Sequence, residues 1–492
     1  MEHVQGRTPL PAGHAEDDAA ENADGRTGRA VDTGAARPSE WTRVPLSFPQ
    51  ELWHSGDQGD RSGFFGAGFT MADAWRVDGS VDVAALQGAL DDLVERHEVL
   101  RTVVVRDVRP PLQEVRPARP VPLRVRDVPL PPGPGRDRRA EELLAEAEQL
   151  PVDPRAVPLL AAGLDRFDGQ DAVLTLVTHH TACDEWSVQV MIRDLAAFYT
   201  GRTSGRPAAL PPVRQYREFA RWQREEGERP DAAQVRAYWK DRMRGAGIFA
   251  APTDRPVPGT RAAPCSAHHF TVDAEVMAAA GALAGELGGG PEVVAQAAFN
   301  LLIHHVAGTT DQAVDTLTSG RTDPRFDDTV GAVMNFLVFR TDLAACHTFR
   351  DVLRATHETC REAYAHEMPI KHIEYEVPEL MAPNEEPMRT NCILGVFPAV
   401  HDEAELPLAG GLRKVRTRTV PTPVGSWIPH GVAWALHLAP NGALHGCVQY
   451  NREELDDATV AGWAGAYQDL LAEGARQPDA PWRSLAGASG RT

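Results

Sequence analysis

Thr178-His179-His180-Thr181-Ala182-Cys183-Asp184-Glu185-Trp186-Ser187 is the stretch on which the reading of this chain turns. Upstream of it, Val173, Leu174, Leu176 and Val177 form a short β-prone run. Downstream, Val188, Ile192, Leu195 and Tyr199 recur at three- and four-residue spacing, the period of one helix face. The spacing predicts a strand, a polar loop and a helix. Loops held by rigid elements present reactive side chains without breaking a hydrogen-bond ladder. Two adjacent histidines there have three readings: polar residues ending a strand; part of a metal set with Cys183 and Asp184, which lacks the paired spacing of zinc sites; or a general base, since imidazole titrates near neutrality.

The whole chain sets the outer bounds. At 492 residues with 42% hydrophobic content it is long enough for two domains or two fused lobes. A formal charge of -19, with no basic run, argues against a nucleic-acid partner. Six cysteines, Cys183, Cys265, Cys346, Cys360, Cys392 and Cys447, stand without paired spacing, as buried free thiols do in a reducing compartment. No charged-then-apolar leader opens the chain and no segment reads as a membrane span, so the expected location is cytoplasmic with no membrane partner.

Residues 1–40 are rich in Gly, Ala, Asp, Glu and Arg and are expected to be a disordered tail. Pro45 to Trp53 starts a short helix-like element and Ala74 to Val77 reads as a strand. Asp82 caps a helix whose Leu86, Leu90, Leu93 and Val94 share a face, ending at Arg96-His97-Glu98. Val99 to Val105 is predicted as a strand, Arg109 to Arg136 as extended and loop segments, and Ala140 to Gln149 as a helix. The turn-rich Thr200 to Pro207 divides an N-terminal lobe, 41–205, from a C-terminal lobe, 206–492. Beyond it, helices are expected at Tyr216 to Gln223, around Tyr238-Trp239 and over Val293 to Ala307, with strands at Ala313 to Leu317 and Val333 to Thr341. This alternation is mixed α/β (α+β).

Together these segments resemble a condensation domain of nonribosomal peptide synthesis. His179-His180 through Asp184 stand where that family has HHxxxDG, and Arg96-His97-Glu98-Val99-Leu100-Arg101-Thr102 matches RHExLRT. Leu46-Ser47 through Leu52-Trp53 is similar to the opening SxAQxxLW-like segment, and Tyr216 through Gln223 to YxDFAxWQ. Ser319-Gly320-Arg321, then Val330-Gly331 through Asn335 and Arg340, resemble GR and VGxFxNxxxxR. Gly446 through Tyr450-Asn451 resembles the last core strand. The order agrees from Trp41 to the C-terminal region.

The resemblance implies two chloramphenicol-acetyltransferase-like lobes in a V-shaped pseudo-dimer with a tunnel between them. It implies His180 as the catalytic base, His179, Asp184 and Arg340 as support, with Asp184 paired to Arg340, and Glu185, Trp186 and Asn335 as acceptor-site candidates. The donor would arrive as a thioester on the phosphopantetheine arm of an acyl or peptidyl carrier protein. The acceptor would be a small amine or alcohol, or a second carrier protein, giving an amide or ester. A thioester is already activated, so no bound cofactor, metal or nucleotide is expected, and no Gly-rich phosphate loop is present. Nothing resembles an adenylation or carrier domain, so a free-standing enzyme served in trans is expected. Glu185 replaces the motif glycine, and a non-catalytic docking module is the alternative. Cys183 is expected to be a small packing residue, and His268-His269, which has no Asp at the motif spacing, is expected to have no functional role.

Overall fold

The computed structural model describes residues 42–485 apart from 58, 61–62, 228–231, 258–264, 403–404 and 417–430; the expected tail at 1–40 lies outside the described residues. Strands run in chain order as β1 (Thr42–Pro45), β2 (Thr70–Asp78), β3 (Thr102–Val105), β4 (Leu112–Val115), β5 (Leu123–Asp127), β6 (Leu160–Arg166) and β7 (Asp171–His179). They continue as β8 (Ala250–Pro252), β9 (Cys265–Val272), β10 (Asp311–Thr318), β11 (Asn335–Asp342), β12 (Arg389–Phe397), β13 (Gly411–Lys414), β14 (Val432–Leu438) and β15 (Leu444–Asn451). The helices that matter here are α1 (Phe48–Ser55), α2 (Val83–Arg96), α3 (Pro134–Glu148), α4 (Glu185–Ser204), α5 (Tyr216–Gly227) and α6 (Ala232–Arg242). After them come α7 (Ala274–Gly285), α8 (Pro291–Ala307), α9 (Phe349–Ala365), α10 (Ile370–Glu376) and α11 (Asp457–Arg476).

Two large sheets organise the chain, with β1, β4 and β3 forming a third, small one. The first large sheet has the order β13-β2-β7-β6-β5; the second runs β11-β10-β12-β14-β15-β9, with β8 added beside β12. The fold is mixed α/β and chloramphenicol-acetyltransferase-like. Central β7 is buried on both faces, which is why its sequence is a nearly unbroken apolar run. On the first sheet α2 packs against α4, with Leu86, Leu90, Leu93 and Val94 fully buried as their spacing predicts. The second sheet shares a core with α7, α8, α9 and α11.

The first half is not built only from its own stretch of chain. Strand β13, from far beyond the turn at 200–207, pairs antiparallel with β2, setting Leu412 against Val77 and Lys414 against Trp75. Tyr216 and Phe219 of α5, with Phe326 and Val330 to Met334, also enter the first core. Tyr216 donates its hydroxyl hydrogen to Ala332 O at 2.9 Å and accepts from Ser47 Oγ at 2.6 Å, so three separate sequence motifs meet at one phenol.

Three boundaries differ from expectation. Residues Glu98–Arg101 form a 3-10 turn, and the strand starts only at Thr102, whose hydroxyl donates to Glu98 O at 2.7 Å. Helix α3 starts at Pro134, a residue pre-set for a first helical turn, rather than at Ala140. Helix α4 runs to Ser204, because the Thr203 and Ser204 hydroxyls bond back to Tyr199 O and Thr200 O; Gly205, at φ 69°, then ends it in the left-handed region that glycine tolerates.

Candidate active site

The histidine stretch sits where the sequence predicts, in the turn between β7 and α4. His179 is the last residue of β7, His180 to Ala182 form a 3-10 turn, and Asp184 caps α4 by accepting from Ser187 N at 2.8 Å. The two histidines face different surroundings.

His179 is wholly buried. Its Nε2 hydrogen goes to Gly66 O at 3.1 Å, and its Nδ1 accepts from Thr181 N at 3.2 Å, which fixes the neutral tautomer. Burial pulls its pKa down to about 4. It is a structural pin.

His180 lies on the wall of a cavity of about 490 Å³ between the two large sheets. Its Nδ1 is 2.8 Å from Cys183 O; a carbonyl only accepts, so Nδ1 carries the hydrogen and Nε2 keeps its lone pair. Phe69 stacks on the ring at 4.7 Å and Trp53 meets it edge-on at 5.4 Å, so the imidazole cannot swing. Burial lowers its pKa below 6.5, and the nearby Asp184 and Glu185 charges offset this only in part. A fixed, neutral imidazole is thus presented to the cavity.

Asp184 pairs with Arg321, not with Arg340 as the resemblance implied. The Arg321 guanidinium meets both carboxylate oxygens, at 3.0 and 3.1 Å, and Val333 N and Met334 N also donate to Oδ2. Their side chains are 1% and 6% exposed. Gly320, at φ 63°, makes the turn that delivers Arg321; a Cβ there would lie 2.0 Å from Val333 O. Arg340 points elsewhere, because its strand position aims it at the start of β10 and the end of α6: it grips both Asp311 oxygens, at 2.9 and 2.6 Å, and the carbonyls of Arg242 and Arg244.

Of the three acceptor-site candidates, two line the cavity. Glu185 receives Lys414 Nζ at 3.2 Å and lies 3.5 Å from His437 Nδ1; Lys414 also binds Asp73 Oδ1 at 2.8 Å. Burial acts to raise the Glu185 pKa, but the Lys414 charge and His437 outweigh it and hold the carboxylate well below its usual range. Trp186 donates its indole N–H to Asp327 O at 2.8 Å, with Arg321 over the ring. Asn335 is the correction: its amide donates to Glu367 Oε1 and Met368 O, both at 3.0 Å, and it is not among the cavity-lining residues. The neighbours Met334 and Phe336 line the wall instead.

The Cys183 thiol is buried, and burial pushes its pKa well up, so it is no nucleophile. His268 and His269 lie on β9, and His269 lines the cavity wall. Arg96 and His97 of the RHExLRT-like segment both bond Asp194 Oδ2, at 2.7 and 3.0 Å, locking α2 to α4. Residues that reading the sequence missed are Lys414 and His437. They carry no local motif and reach Glu185 only through the sheet pairings of β13 and β14. Among the described residues no group of three His, Cys, Asp or Glu side chains is placed to hold a metal ion, and no helix is long and apolar enough to cross a membrane.

The family model for the condensation domain matches residues 43–491. The chain belongs to the condensation-domain family. Curated relatives of this condensation domain include the phosphinothricin tripeptide synthetase PhsC of Streptomyces viridochromogenes, 34% identical over 67% of this chain and 30% of that protein. Another is a linear gramicidin synthase of Brevibacillus parabrevis, 32% identical over 87% of this chain and 5% of that protein. The domain therefore spans under a third of the length of either. Among solved structures, the SgcC5 protein of Streptomyces globisporus is 38% identical with a TM-score of 0.83, covering 89% of this chain and all of that one; it was solved with (R)-(-)-1-(2-naphthyl)-1,2-ethanediol and sucrose. The X-domain of teicoplanin biosynthesis, solved in complex with OxyB, is 26% identical with a TM-score of 0.67, covering 94% and 99% of the two chains.

Proposed function

We propose that this condensation domain transfers an acyl or aminoacyl group from a carrier-protein thioester, delivered in trans, to an amine or alcohol acceptor, forming an amide or an ester. The observation that carries this reading is His180, whose Nε2 lone pair is offered to a cavity between two sheets. As the acceptor nitrogen or oxygen attacks the thioester carbonyl, Nε2 takes its proton. The C–S bond breaks, and the phosphopantetheine sulfur leaves and takes up a proton. Alignment and proton transfer carry the rate, since the thioester is already activated.

The likeness to SgcC5, solved with an aromatic 1,2-diol, supports an acceptor bearing hydroxyl groups. A docking module is the second reading, favoured by the likeness to the X-domain solved with OxyB. The fixed, neutral His180 argues for chemistry over docking. The test is mass spectrometry of products from a panel of carrier-bound acyl thioesters offered amines and alcohols. Histidine-dependent amide or ester formation supports transfer; no product with any pair supports docking.

A further inference from the structure

Glu185 stands where the family motif has glycine, so its side chain adds a group to the cavity wall beside His180. Both contacts that the described residues make to its carboxylate fall on Oε1, from Lys414 Nζ and His437 Nδ1. Oε2 takes neither contact, on a residue that lines the cavity. Lys414 Nζ lies within ion-pair distance of both Glu185 Oε1 and Asp73 Oδ1. The Glu185 and Lys414 side chains are 14% and 9% exposed, which keeps the carboxylate in one place and weakly screened by water. Two hydrogen-bond acceptors, Nε2 of His180 at the start of the 3-10 turn and Oε2 of Glu185 at the start of α4, therefore belong to residues that line a single cavity.

We propose that Glu185 Oε2 orients the acceptor substrate, taking a hydrogen bond from a second N–H or O–H of that molecule while its nucleophilic amine or hydroxyl faces His180 Nε2. The domain then selects bifunctional acceptors, such as diols, amino alcohols or diamines with a short carbon spacer, over analogues with one polar group. This rests on the transfer reading above for the identity of the acceptor. Lys414 and His437 hold the carboxylate so that Oε2 meets the ligand at little cost in ordering.

The experiment compares an aryl 1,2-diol and an aryl amino alcohol with their single-hydroxyl analogues, using the wild type, Glu185→Gln and Glu185→Ala. Two quantities are read: acceptor Kd by calorimetry without donor, and kcat/KM with a carrier-bound thioester. The wild type is expected to prefer the bifunctional acceptors by about 10- to 100-fold in Kd, the worth of a hydrogen bond to a charged group. Glu185→Ala should abolish that preference and Glu185→Gln should reduce it. An unchanged preference in Glu185→Ala, or no preference in the wild type, overturns the proposal. A Glu185-dependent preference in Kd with no product formed supports this inference and contradicts the transfer reading. Should the alanine variant melt early, the near-isosteric Glu185→Gln decides by the same comparison.

Discussion

Asp184 and Arg321 form a buried two-point ion pair that ties the turn after β7 to the turn after β10, so the catalytic turn of one sheet is anchored to the other. Removing one partner of such a pair strands the other charge. Asp184→Ala is expected to lose about 3 to 5 kcal/mol of stability. Arg340→Ala, whose partner Asp311 is half exposed, should lose about 1 kcal/mol or less. Denaturant midpoints measure both; equal losses would show that the Asp184 pair is not the anchor.

Asp315 on β10 predicts an unusual pH dependence. It is buried, its Oδ1 has no hydrogen-bond partner, and burial, aided by Glu374, raises its pKa to about 7. An unfolded Asp titrates near 3.9, so the folded state holds a proton that the unfolded chain releases. Its contribution is fullest below about 4 and is lost as the pH rises toward about 7. Asp315→Asn, which mimics the protonated acid, should therefore raise the melting temperature at pH 8 by more than at pH 5. An equal shift at the two values would contradict the assignment.

Cys183 tests whether a thiol takes part. With its thiol buried and its pKa pushed up, Cys183→Ala should keep turnover within a few-fold of wild type. A loss matching that of His180→Ala would mean that sulfur chemistry had been overlooked.

The pH profile reports on His180 directly. A base must be unprotonated to act, and burial lowers this imidazole below 6.5. The acid limb of kcat/KM should therefore fall below pH 6.5, with a plateau above it. A limb displaced above 7, or none at all, would point to another group.

What the sequence made legible was local. The β-prone apolar run before His179 and the three-and-four spacing after Asp184 located the turn, and Asp82 with Leu86 to Val94 located α2. Two segments that carried the family resemblance, Arg96-His97 and Tyr216, are packing knots around Asp194 and Ser47. Partner choice was not legible. Arg321 and Arg340 stand in neighbouring motifs of similar chemistry, and only the Gly320 turn and the direction of β11 decide which one meets Asp184. Lys414 lies 229 positions from Glu185 along the chain and is joined to it by a strand crossing into the first sheet, a long-range pairing with no local signature.

The central claim is that His180 removes the acceptor's proton. Single-turnover transfer from a saturating carrier-bound thioester, measured for wild type and His180→Ala, tests it most directly. The account predicts a fall of about 10² to 10⁴, the usual worth of a placed general base, in a variant that still folds, with the melting temperature read alongside because the ring also packs on Phe69 and Trp53. A His180→Ala variant that transfers at the wild-type rate would contradict it.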